Sequence, residues 1–468
     1  MDRKVLLVFI LIVFMHLLFN QSLQLHYDEA YYWVWSKNLA LSYYDHPPMI
    51  AYLIRLTTLF SDKEFFVRLA AVLCSTTTVI MMYKTALRMF GQKAADVTVL
   101  LALAWPILEG TFFITTIDSP LLMFWSITLY CVVRGFIENE LKFVYLAGLF
   151  LGCSLLSKYT AILILPGILI YLILAAKKRN KLWNINTYLA LLMAIVVFSP
   201  VIIWNAGHDW VSFAFQFKHG IASDKSLNFA SFGDYIGSTI GAANPFISLT
   251  IFAFIFVKRK QLLRDERYLL LVSIFLFVVV FFAYNSLFKF MEANWVAPAY
   301  ISGIIFAAAC LTEYNLKWVY RTAITLILIL LPIAKMPGKF VPKQFQSKIP
   351  AVNAFMGNQQ LYDKIRQNYL HAGDIVLSCD YGNASRGWYY LGQGRTYVLS
   401  NFKFTDNYQY WNDKLSYPIQ NALYYCDNDD SGNITLLKDY FKEVKPLGSI
   451  AYRDNFVNNK LYLYRLSN

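Results

Sequence analysis

Long apolar blocks fill the first three-quarters of the chain, separated by short polar breaks, and stop at Pro337-Gly338. A helix needs about 20 predominantly apolar residues to cross about 30 Å of hydrocarbon. Blocks near that length lie at roughly 4–19, 65–88, 94–112, 119–137, 143–157, 159–176, 187–204, 236–257, 267–286, 294–312 and 318–335. They predict an all-α polytopic membrane protein with about eleven transmembrane helices. Lys158 alone separates the fifth block from the sixth, so one long broken helix is the alternative there.

Charge between the blocks orients them. Arg3 and Lys4 precede the first block and no small-residue cleavage site follows it, which predicts an uncleaved first helix with its N-terminus inside. Counting onward puts Arg88 and Lys93, the Lys177–Lys181 cluster, the Lys258–Arg267 cluster, and Lys317 with Arg321 on the cytoplasmic side, as short basic loops require. The same count places 20–64, 115–120, the Lys158 turn, 205–235 and 288–295 outside. These loops carry the unusual polar residues, and their shared face is what a reaction site needs.

In the first external loop, Asp28 to Leu41 alternates at helical spacing and Met49 to Phe60 follows Pro47-Pro48. Both read as interfacial helices with Tyr and Trp at headgroup depth. Residues 1–337 are thus the membrane domain. Residues 338–468 lack any spanning block and form a soluble external α/β domain, with β-type strings at Asp374–Ser378, Arg395–Leu399 and Lys460–Tyr464. Helical segments are expected around Asn358–Leu370 and Leu436–Phe441.

The chain has 468 residues, 57% hydrophobic and 15% charged, which excludes an ordinary soluble protein. Its net charge of +13 sits largely in the basic loops, so membrane topology explains it and nucleic acid is not an expected partner. Cys74, Cys131, Cys153 and Cys310 fall in apolar segments as small buried hydrophobes. Cys379 and Cys426 lie in the soluble part, where a disulfide and two free thiols both remain open.

Two carboxylate sites stand out. Asp28 and Glu29 sit among aromatics in His26-Tyr27-Asp28-Glu29-Ala30-Tyr31-Tyr32-Trp33. On a helix they point about 100° apart, so one does chemistry while the other caps or orients. Asp118 lies in a tight Asp-Ser-Pro turn. Each also occupies a position where a helix N-cap belongs. Carboxylates at one depth suit general-base work on a hydroxyl, or coordination of a divalent cation by Asp28 and Asp118. Lys158 offers a point charge to a lipid phosphate, or merely snorkels to the headgroups; Arg55 and Lys289 compete for that role. His46, beside Tyr44, and His208 offer hydrogen bonds to phosphate or sugar. Glu292 and Asn294 offer a sugar pocket, or an interfacial turn anchored by Trp295.

In order along the chain, Asp28-Glu29-Ala30-Tyr31-Tyr32, Tyr44-Asp45-His46-Pro47-Pro48, Asp118-Ser119-Pro120, Ser157-Lys158-Tyr159, Asn205 to Trp210 with Ser212 and Phe215-Gln216, and Glu292 to Tyr300 resemble a known set. It is that of the GT-C membrane glycosyltransferases of the protein-mannosyltransferase and aminoarabinose (lipid A) transferase superfamily, in a bacterial branch akin to glycosyltransferase family 39. Tyr408-Gln409-Tyr410-Trp411 resembles part of the external domain of bacterial members. The resemblance implies a GT-C fold and transfer of a sugar, with inversion, from a polyprenyl-phosphate donor. The implied acceptor is lipid A or a related envelope glycolipid at the outer face of a bacterial inner membrane, with a protein acceptor as the alternative. It maps the family's acidic residues to Asp28 and Asp118 and its phosphate-side basic residue to Lys158. Nucleotide sugars are not expected, and the chain has no nucleotide-binding glycine fingerprint. A transporter or flippase for a lipid-linked sugar, the main rival, calls for mid-membrane ionisable residues and repeated halves.

Overall fold

Helices follow the apolar blocks in the computed structural model, which describes residues 1–468 apart from 221–225, 243, 343–344, 346–353, 393–395, 400–405, 413–418, 428–430 and 452–459. The chain divides into two compact units. Met1–Leu18, Leu41–Leu53 and Arg68–Leu331 form the first; Phe19–Ala40, Ile54–Val67 and Pro332–Asn468 form the second.

Five helices among the described residues are long and apolar enough to cross a membrane: Glu64–Phe90, Asp118–Ile137, Ile185–Ala206, Glu266–Ser286 and Ala293–Glu313. The number rises to seven if two bent pairs each count as one span. One pair, Gln92–Leu103 with Pro106–Phe113, bends by 64° at a break of the kind proline imposes, because Pro106 opens the second helix. The blocks expected at 143–157 and 159–176 are shorter apolar helices, Leu141–Leu155 and Tyr159–Leu174. They are separate, with Lys158 in extended conformation between them. Length and apolarity therefore establish a multi-pass helical protein, and they do not reach the count of eleven.

Close packing in the first unit comes from small residues. Gly148 and Gly152, four apart on the Leu141–Leu155 helix, face Ala190, Ala194 and Val197 on Ile185–Ala206. A Cβ on Gly148 would collide with the Ala190 carbonyl. Where lipid supplies no hydrophobic drive, such close approach of backbones is what holds helices together. The pairing fixes the end of the 141–155 helix and so the start of the Lys158 turn.

The second unit contains a five-stranded sheet of order β2-β1-β3-β5-β4, with β1 Ile375–Ser378, β2 Thr396–Val398, β3 Asn421–Cys426, β4 Glu443–Ala451 and β5 Lys460–Ser467. β2, β1 and β3 run parallel, while β5 is antiparallel to both β3 and β4. Helices Asn358–Asn368 and Ser431–Tyr440 lie near their expected places; Arg395, expected to open β2, falls outside the described residues. Cys379 and Cys426 form a disulfide joining the ends of β1 and β3, with Cα atoms 5.3 Å apart. The helix Tyr27–Lys37 belongs to this unit and packs on Tyr381–Leu391, with Trp33 edge-on to Tyr389 at 4.9 Å.

Candidate active site

The Asp118 turn is set by its own backbone. Ser119 N–H donates to the Thr116 carbonyl at 3.1 Å, and its hydroxyl to the Thr111 carbonyl at 3.2 Å. Pro120 lies in the first helical turn, where a missing N–H costs nothing. Asp118 is the first residue of its helix and Ile117 is the N-cap, so the N-cap expectation for Asp118 is corrected. Its carboxylate points elsewhere. Lys158 Nζ donates to Oδ1 at 2.8 Å and Asn294 Nδ2 to Oδ2 at 2.7 Å. Asp118 and Lys158 are only 6% and 7% exposed. A buried charge of either sign is tolerable here because the other neutralises it.

Further polar loops of the first unit, distant in sequence, are joined by hydrogen bonds. Tyr159, next to Lys158, shares a hydrogen bond with Ser212 at 2.8 Å. The Met49 N–H donates to the Leu156 carbonyl at 3.0 Å, tying the first loop to the Lys158 turn. Gln216 Nε2 donates to the Asp45 carbonyl at 2.5 Å and lies 3.2 Å from His46 Nδ1. Because the Asp45 carbonyl can only accept, the amide nitrogen must face it. Donation by the same nitrogen to Nδ1 then leaves the neutral His46 ring with its N–H at Nε2. Tyr44 is buried and tilts against Phe215 at 4.9 Å. His208, by contrast, stacks on Trp204 at 3.9 Å, and its Nδ1 lies 2.7 Å from the Trp204 carbonyl, a local contact at the end of its own helix. Lys289 donates to the Lys218 carbonyl at 3.2 Å, and Glu292 is exposed.

In the second unit, His26 is the N-cap of Tyr27–Lys37, which corrects the N-cap expectation for Asp28. Glu29 completes a capping box: its Oε2 accepts the His26 N–H at 2.9 Å, and its side chain is fully buried. That geometry gives Glu29 an orienting role at the helix start. Asp28 is about a third exposed, and its Oδ1 accepts a hydrogen bond from the Tyr381 hydroxyl at 3.2 Å. Arg55 is exposed and lies in this unit.

At Asp118 each carboxylate oxygen accepts one hydrogen bond, and the Lys158 ammonium on Oδ1 supplies a positive charge that opposes a divalent cation at that oxygen. Among the described residues, one group has spacing suited to a metal, Cys379, Cys426 and Asp427, but its two sulfurs are joined to each other.

Two residues of the second unit, Tyr381 and Asp406, were not singled out from the sequence. Tyr381 sits 353 positions from Asp28, and no local pattern marks it. Asp406 belongs to the segment whose next residue donates its N–H to the Tyr31 hydroxyl at 2.9 Å. Burial pushes the Asp406 carboxyl up to about 7; the Tyr408 N–H works against this and Asp380 adds to it.

Residues 45–204 match the family model for dolichyl-phosphate-mannose-protein mannosyltransferase. A curated relative, the lipid A galacturonosyltransferase RgtD of Rhizobium johnstonii, is 29% identical over 297 residues, 62% of this chain. The match spans 61% of that relative's length. ArnT from Cupriavidus metallidurans in the apo state superposes with a TM-score of 0.68 at 14% identity, over 98% of this chain and 97% of ArnT. The same protein bound to undecaprenyl phosphate gives 0.69 at 14% identity, over 99% and 98%. These two structures establish the fold.

Proposed function

We propose that the chain is a GT-C membrane glycosyltransferase of the protein-mannosyltransferase and aminoarabinose-transferase superfamily, a reading supported by the family-model match and the curated relative, and that it transfers a sugar from a polyprenyl-phosphate-linked donor to lipid A or a related envelope glycolipid. The observation that carries this reading is the buried Lys158–Asp118 pair, braced by Asn294 beside polar loops that touch one another. ArnT, which shares the fold, binds undecaprenyl phosphate, and this supports the donor class. RgtD acts on lipid A, and this supports the acceptor. We place the reaction at the periplasmic face of a bacterial inner membrane, with eleven spans, a membrane domain ending at residue 337 and a soluble domain after it.

Chemistry follows from charge. As the C1–O bond breaks, the departing phosphate gains negative charge, and a cation beside it stabilises the transition state more than the ground state. Lys158 uses one of its three N–H donors on Asp118 and offers the other two to phosphate. His46 contributes an Nε2–H. Asp28 accepts the proton of a hydroxyl acceptor, with inversion at C1. For an anionic phosphate acceptor it orients the nucleophile instead. Mass spectrometry of lipid A and envelope glycans, with and without the gene, tests the proposal. A single hexose or pentose increment lost with the gene is expected, and identical glycolipids in both strains would refute it.

A further inference from the structure

We propose that Tyr381, carried by the C-terminal part of the chain, is a positioning residue that holds the Asp28 carboxylate in its reactive orientation. This rests on the role given to Asp28 above. Asp28 has few ways to be held. His26 Nδ1 accepts the Asp28 backbone N–H at 3.3 Å, so in that tautomer it has no proton to give Oδ2, which lies 3.4 Å away. Among the described residues, the Tyr381 hydroxyl is the side-chain donor to this carboxylate.

The hydroxyl is held from several directions. Asp380 caps the Tyr381–Leu391 helix, its Oδ1 accepting the Asn383 N–H at 2.9 Å. The Cys379–Cys426 disulfide pins the residue before that cap to β3. The Tyr381 ring packs against Tyr31 at 4.6 Å and stands edge-on to Tyr27 at 6.2 Å. Gly382 lets the helix approach this closely, since a Cβ there would lie 3.1 Å from the Tyr27 Cβ. Tyr31 follows Asp28 by one helical turn, so ring and carboxylate share the face that Tyr381 covers. A hydrogen bond whose donor ring is packed against Tyr31 and Tyr27 restricts a carboxylate more than a solvent-exposed one does. By that logic the soluble part contributes to catalysis through one oxygen atom.

Tyr381→Phe removes that atom and keeps the ring. The experiment compares the purified full-length wild type and variant for kcat, donor KM and unfolding temperature, with a polyprenyl-phosphate sugar as donor and lipid A as acceptor, and a nucleotide sugar as the second donor tried. A lost hydrogen bond to a charged group predicts a kcat lower by about tenfold, with donor KM and unfolding temperature unchanged. A Tyr381→Leu control should lose the same kcat and also unfold earlier. An unchanged kcat in Tyr381→Phe, or a lowered unfolding temperature with kcat retained, would overturn the proposal and leave the donor assignment standing. A wild type that uses only a nucleotide sugar defeats the donor assignment, yet Tyr381 is still tested on that substrate. A wild type that turns over no sugar donor defeats both.

Discussion

Lys158 and Asp118, forty residues apart, meet through a 2.8 Å hydrogen bond with both side chains more than nine-tenths buried. The pair makes one charge the condition for the other. On the proposed function, a donor phosphate at Lys158 would meet an ammonium already held in place, at little further cost in side-chain entropy.

Removing one partner separates structure from function. Lys158→Met leaves Asp118 buried and unpaired, at a cost of about 3–5 kcal/mol in stability, and it should also raise donor KM. Adding Asp118→Asn should restore the unfolding temperature but not the KM. Recovery of both would make Lys158 a structural partner only.

Much of this was legible in the sequence. The apolar blocks gave the membrane class, and Asp118, Lys158 and Asn294 each stood out as polar residues at the edge of such a block. Their mutual contact did not, because it depends on how helices pack, and Gly148 and Gly152 govern that from one helix alone. Asp28 has the better intrinsic N-cap side chain, but the helix begins earlier because Glu29 can reach back to the His26 N–H. β3 went unseen because its buried run, Ala422 to Cys426, lacks alternation. β4 carries Pro446 and Gly448 at a register shift, residues that argue against a strand in isolation.

Topology can be checked apart from chemistry. Gln21 and Asn180 are both exposed, and the basic-loop count places them on opposite sides. Cysteine at Gln21 should react with an impermeant thiol reagent added to intact cells, and cysteine at Asn180 should not. Labelling at Asn180 would reverse the orientation and remove the periplasmic assignment.

The disulfide links residues 47 positions apart. Closing a loop of that length stabilises by about 4 kcal/mol on the chain-entropy account. Cys379→Ser with Cys426→Ser should therefore make the C-terminal part markedly more susceptible to proteolysis. Equal proteolysis rates would show that the sheet holds without the link.

Asp406 makes the same part sensitive to pH. Its folded value of about 7 lies above the ordinary carboxyl value near 3.8, so between the two the folded state keeps a proton that the unfolded state has lost. That contribution to stability is complete below about pH 4 and is lost as pH rises through about 7. Asp406→Asn, which can still accept the Tyr408 N–H, should flatten the slope and stabilise the protein at about pH 8. Hydrogen exchange of residues 406–411 at acidic and alkaline pH measures this directly; identical slopes in wild type and variant would contradict it.

The central claim is that a lipid-linked sugar is the donor and Asp28 is required for its transfer. Purified protein should move sugar from a polyprenyl-phosphate carrier to lipid A with no nucleotide sugar present. Asp28→Asn, which keeps the volume and the Tyr381 contact as an acceptor, should abolish transfer while folding normally. Turnover that depends on a nucleotide sugar, or an Asp28→Asn rate within about threefold of wild type, a barrier change of well under 1 kcal/mol, would contradict the account.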